Sequence, residues 1–233
     1  MDIKTGTAHG TKITLAGIAV WIATLAVWGA ALAFVPPDAA QGEVYRIIYL
    51  HVPGAISAFS ASFLLAVAGI LALWTRDNKY LTWQRAFAET GLLMTVIALL
   101  TGSIWGKPTW GTWWTWDARL TTTFLLAILL AAYLMLHSAL PPGRQRLAVC
   151  SGLSIFIFAD VPIIYKSVTW WRTLHQPPTI IRSGGSTMAP EMLTLLLSGI
   201  ATMIALTVWM AWLRTSSLRL GEELENQTGA AFE

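Results

Sequence analysis

From Trp110 to Thr121 the chain reads WGTWWTWDARLT, and Trp105 lies just upstream, so five of its 13 tryptophans fall within 12 residues. Tryptophan normally settles singly at the lipid headgroup level, because its ring is apolar and its N–H wants a polar partner. Five rings gathered around Asp117 and Arg119 form instead a flat aromatic platform with charged edges. The guest that suits it is a large planar ligand carrying acidic groups, stacked on the rings and held at its carboxylates by cations.

The flanking elements place the platform in a membrane. The 233-residue chain is 55% hydrophobic and 12% charged, and its mean hydropathy of +0.60 lies outside the range of ordinary soluble domains. Six apolar runs of about 20 residues each match a bilayer core of about 30 Å. They lie near Ile13–Val35, His51–Trp74, Ala86–Trp105, Leu120–Leu140, Leu147–Val168 and Glu191–Leu213. The segments PPD, TRDNK, PPGRQR and QPP between them have turn and breaker chemistry. The expected fold is an all-α integral membrane protein, a single polytopic domain of six transmembrane helices over residues 1–233. A Trp-rich loop at the outer face spans 106–119, and a Glu-bearing tail from 214 to 233 is expected to lack structure. In the first span, Ala31-Leu32-Ala33 resembles a signal-peptidase site, but the run exceeds a signal-peptide core, which favours a retained anchor.

Basic residues set the orientation. Lys4, Lys12, Arg76, Lys79, Arg85, Arg144, Arg146, Arg214 and Arg219 lie on the side of the termini. Arg46, Lys107, Arg119, Lys166, Arg172 and Arg182 lie opposite. Nine against six puts both termini inside. A net charge of +3 is too small to point to nucleic acid, and the single cysteine, Cys150, permits no internal disulfide or CxxCH haem attachment.

This orientation brings two of four histidines to the tryptophan side. His51 opens the second span, with Pro53 suited to a first helical turn. His175 follows Trp170-Trp171 just beyond the fifth span. One interfacial histidine is ordinarily a hydrogen-bonding group; two at one depth beside the platform are candidate ligands. His9 and His137 lie at the other side and read as structural.

The stretch GSIWGKPTWGTWWTWDARLT (Gly102–Thr121) resembles the WWD signature of haem-handling membrane proteins. RIIYLHVPGA (Arg46–Ala55) and PIIYKSVTWWRTLHQPP (Pro162–Pro178) resemble that family's two histidine-bearing segments. The likeness is greatest to the haem exporter protein C (CcmC) family of the bacterial cytochrome c maturation system, and it runs from Arg46 to about Pro178.

The resemblance implies haem b at the outer face of the bacterial inner membrane, with His51 and His175 as axial ligands and the Trp-rich loop as its cradle. Paired imidazoles fill both axial positions, which suits carrying haem rather than activating oxygen. It further implies delivery to a membrane-anchored haem chaperone. The implied assembly is an ABC-type complex with an ATPase subunit, a second multi-span subunit and a small single-span subunit. Trp110, Trp113, Trp114, Trp116, Asp117 and Arg119 are the loop's candidate haem contacts. If 110–119 were helical, Trp110, Trp113, Trp114 and Asp117 would share one face, while Trp116 and Arg119 would point elsewhere. Asp117 is equally a candidate N-cap for the fourth span. Arg119 and Lys107 are candidates for the haem propionates, with lipid headgroups as the other option.

Asp160, well inside the fifth span, either serves function or bonds backbone freed by Pro162. Glu89 is placed to snorkel. No GxxxxGK[ST] motif occurs, so nucleotide-driven pumping by this chain alone is excluded, and without an HExxH motif zinc proteolysis is unsupported. The alternative is a b-type cytochrome subunit of a quinone-linked membrane oxidoreductase. Such a subunit buries its paired histidines within facing helices, whereas here both sit at helix ends.

Overall fold

The computed structural model describes residues 3–176, 185–186 and 188–230, with no side chain described before residue 14 or for 226 and 228–230. Six helices run in sequence: α1 (Ile3–Phe34), α2 (Ile48–Thr75), α3 (Lys79–Trp110), α4 (Ala118–Ala139), α5 (Arg144–Trp170) and α6 (Pro190–Ala230). Each carries a segment long and apolar enough to cross a membrane. Among the described residues there is no strand, only a single bridge between Asp38 and Gly42.

α2 is the hub, packing on α3, α5 and α6, while α1 lies against α6 and α4 against α3 and α5. Its buried positions are mostly small: Ser57, Ala58, Ala61, Ser62, Ala66, Ala68, Gly69 and Ala72. Small side chains let helix backbones approach closely, the main source of association where lipid removes the hydrophobic drive. A polar knot adds to it. Tyr133 on α4 donates to the Gln84 side-chain oxygen (3.1 Å), and the Gln84 amide donates to Ser151 on α5 (3.1 Å). All three residues are fully buried, so no donor in this chain of bonds is left to lipid.

Several local expectations are corrected. α2 starts at Ile48 after a 3₁₀ turn at Glu43–Ile47, so Pro53 sits inside the helix. There it withholds a hydrogen bond from the Tyr49 carbonyl one turn back. Glu89 does not simply reach for water: Arg85 (3.1 Å) and Arg214 (3.0 Å) both hold its carboxylate, joining α3 to α6. The tail beyond Arg214 is not structureless, because α6 stays helical to Ala230. Its Leu, Arg and Glu residues are strong helix formers and no proline interrupts them.

Candidate functional site

α3 runs one and a half turns past the end of its hydropathic run and closes at Gly111, whose left-handed conformation (φ 79°) favours glycine. The Gly111 N–H donates to the Lys107 carbonyl (3.0 Å), and the Lys107 ammonium donates to the Gly111 carbonyl (3.1 Å). Residues 112–117 are then non-helical until Asp117 caps α4, its Oδ1 accepting from the Leu120 N–H at 2.9 Å. The glycine stop and the aspartate start forbid the continuous helical face considered above, so the tryptophans divide differently. Trp113 (57% exposed) and Trp116 (74% exposed) turn outward. Trp110 and Trp114 turn into a cleft.

That cleft encloses about 850 Å³ counting its open mouth, and His51, Trp105, Trp110, Trp114, Arg119 and His175 line its upper part. Ala55, Ala58, Thr95, Ala98 and Leu126 continue it between the helices. Asp117 and Lys107 do not line it.

The two imidazoles meet across the cleft with ring centroids 6.4 Å apart and planes 36° from parallel. An ion shared between two imidazoles through bonds of about 2.0 Å sets the ring centres about 6 Å apart. Trp105 meets His51 edge-on (5.8 Å), and Trp110 lies 6.2 Å from the His175 ring. Trp105 is itself fixed by its indole N–H, which donates to Gln41 in the first loop (2.7 Å).

The orienting partners of the histidines, which sequence reasoning had not found, fix their tautomers. Nδ1 of His51 lies 3.1 Å from the Thr101 hydroxyl oxygen. That hydroxyl spends its one proton on the Ile97 carbonyl (2.6 Å), so it can only accept from His51, whose Nδ1 carries the proton. Nδ1 of His175 lies 2.9 Å from the Gln176 carbonyl, an acceptor only. Both Nε2 atoms therefore keep a free lone pair, the arrangement that second-shell partners impose on metal-binding histidines. Gly102 makes room for the His51 ring: a Cβ there would stand 3.0 Å from the imidazole Cε1.

Burial, and next the Arg119 guanidinium, push His175 from 6.5 down to about 4, against the Gln176 carbonyl and Asp117. The residue is half-buried. Because the folded-state value is depressed, stability is full above 6.5 and is lost as pH falls through about 4. His175 thus stays neutral and available to a metal throughout the physiological range. In an NMR titration of the protein, the His175 ring should stay neutral between pH 8 and roughly 5.5. A ring that takes up its proton around 6.5 would show an unshifted imidazole.

Three features fit a planar, carboxylate-bearing metal macrocycle. The lone pairs suit a transition metal. The Arg119 side chain makes no hydrogen bond or salt bridge among the described residues. The buried Trp114 indole N–H likewise has no acceptor among the described residues. An unpaired cation and an orphan donor in one aromatic cleft are left for an anionic group.

Other candidates lie elsewhere. His137 is buried at the opposite end against Tyr133 (6.2 Å), and His9 falls where side chains are not described. Cys150 is buried and free. Asp160 is 6% exposed, and its Oδ2 has no hydrogen-bond partner among the described residues, so it does not satisfy backbone at Pro162 through that oxygen.

Fold and site together define a polytopic membrane protein with a paired-imidazole, aromatic-walled cleft at one end of its helix bundle. The family model described as heme exporter protein C matches residues 5–229. Heme exporter protein C of Haemophilus influenzae is 40% identical over 184 residues, 78% of this chain and 74% of that protein. The Bradyrhizobium diazoefficiens protein of that name is 35% identical over 189 residues, 80% and 72% of the two chains. The one from Escherichia coli K12 is 44% identical over 147 residues, 63% and 60%. The chain belongs to the haem exporter protein C family.

Proposed function

We propose that this chain holds haem b non-covalently in the cleft and passes it to a membrane-anchored haem chaperone during cytochrome c maturation. The observation that carries the reading is the pair of imidazoles 6.4 Å apart, each with Nδ1 anchored and Nε2 free. Haem brings an iron that takes one imidazole at each axial position and two propionates that seek cations. His51 and His175 supply the nitrogens, Arg119 and the Trp114 N–H meet carboxylates, and Trp105 and Trp110 wall the ring. With both axial positions filled by protein there is no open coordination site for substrate chemistry, so the chain acts as a carrier and not as an enzyme. The whole chain serves this as a single haem-handling unit in the bacterial inner membrane. It works beside an ATPase subunit, a second multi-span subunit and a small single-span subunit.

The cleft faces the periplasm in this reading, with both termini cytoplasmic. The basic-residue bias supports it, and the cations at the cleft end have a second task beside an acidic cargo. With Cys150 replaced first, Thr112→Cys in the tryptophan loop should react with a membrane-impermeant thiol reagent in intact cells. A cysteine at Glu222, on the helical tail, should stay unlabelled until the membrane is opened. The opposite pattern would put the cleft inside the cell and rule out delivery to exported cytochromes.

A further inference from the structure

Asp117 holds two elements at once. While Oδ1 caps α4, Oδ2 accepts from the Thr173 hydroxyl (2.6 Å) and from the Leu174 N–H (3.1 Å). The His175 N–H in turn donates to the Thr173 hydroxyl oxygen at 3.1 Å. One carboxylate therefore joins the end of the tryptophan loop to the segment that bears His175.

Little else fastens that segment. α5 ends with the Trp171 N–H donating to the Ser167 carbonyl. From Arg172 to Gln176, the hydrogen bonds to any other element among the described residues are the two received by Asp117. Apart from the His175 ring, which lies 6.4 Å from His51 and 6.2 Å from Trp110, the segment packs lightly, since Trp171 and Leu174 are each about half exposed (52% and 49%). The charged acceptor makes both bonds stronger than their neutral counterparts.

We propose that Asp117 is a positioning residue, a latch that sets His175 in the cleft and ties its release to movement of the tryptophan loop. The proposal rests on the reading of His175 as an iron ligand only for its consequence; the latch itself is a property of the haem-free protein. Exposed Trp116 directly precedes Asp117, so whatever draws that ring outward pulls on the carboxylate. Thr173 and Leu174 then lose their acceptor, and the His175 imidazole loses its fixed approach to the cleft.

The test uses the full-length protein in detergent micelles or nanodiscs, with Asp117→Asn, Thr173→Val and Thr173→Ser. Asparagine is as good a helix cap as aspartate. Its amide arm, however, cannot accept from Leu174. Without haem, amide hydrogen exchange at Leu174 should be at least roughly tenfold faster in Asp117→Asn, the scale of one lost hydrogen bond to a charged acceptor. The unfolding temperature should barely move. With haem, transfer to excess apomyoglobin should be roughly tenfold faster in Asp117→Asn and Thr173→Val. Thr173→Ser should restore the slow rate by restoring the hydroxyl.

Wild-type Leu174 exchange in Asp117→Asn would overturn the latch. So would wild-type haem release by Thr173→Val when His175→Ala releases haem quickly. If His175→Ala itself releases haem no faster than the wild type, the ligand reading fails instead, and Leu174 exchange still decides the latch.

Discussion

Replacing His175 with alanine should weaken haem binding by roughly a hundredfold or more, because loss of a mere outer-shell partner already costs a metal site about 10–100-fold. His51→Ala should do the same, and both variants should lose the low-spin absorption of a six-coordinate iron. The two imidazoles come from separate elements, with ring centroids 6.4 Å apart, so neither can stand in for the other. The variants should also differ in a useful way. His175 lies beyond α5 on a segment with about half-exposed neighbours, so free imidazole can enter and restore much of the low-spin signal. His51 is set within α2 behind Trp105 and Gly102, where added imidazole should restore less. Haem titration with absorption spectroscopy reads both effects. Unchanged affinity and spectrum in both variants would remove the pair from the iron.

The next largest effect is expected at Arg119. A hydrogen bond from a charged donor contributes about 1.5–3 kcal/mol, so Arg119→Gln should reduce haem affinity by roughly 10–150-fold. The haem-free protein should not be destabilised, since the Arg119 side chain has no hydrogen bond or salt bridge to lose among the described residues and stands half-buried beside an apolar cleft. Removing its charge relieves a desolvation cost, so thermal unfolding should occur at the same temperature or slightly higher. Lysine should recover only part of the affinity, because an ammonium cannot reproduce the planar fork that meets a carboxylate with two bonds. Weaker haem binding with a large fall in unfolding temperature would mark Arg119 as a structural residue. Unaltered binding would leave the propionates to other groups.

The helices were legible because a run of about 20 apolar residues has few alternatives in a bilayer. Helical structure beyond the apolar runs was not. Hydropathy falls off at Trp105 and at Leu213, yet α3 continues to Trp110 and α6 to Ala230, because outside the lipid a helix ends at its caps and not at its last apolar residue. Gly111 is the cap signal that marks the first of these ends. The meeting of His51 and His175 was readable from their shared depth. The division of the tryptophans was not, since it depends on how six residues between Gly111 and Ala118 turn. A helical wheel gave Trp113 the inner face and sent Arg119 away, the reverse of their places at the cleft.

The orienting groups were the hardest to see. Thr101 resembles the many threonines here that bond back to their own helix, and it does so, to Ile97. Only the fold reveals that its remaining lone pair receives His51. Thr173 is one polar residue in a loop until Asp117 is found beside it, 56 positions away in the chain.

The most direct measurement is electron paramagnetic resonance of the purified protein loaded with ferric haem. Wild-type protein should give the low-spin signal of iron between two imidazoles, and His51→Ala and His175→Ala should each turn it high-spin. A high-spin signal from the wild type, or a low-spin signal that survives removal of both histidines, would contradict a haem held between His51 and His175.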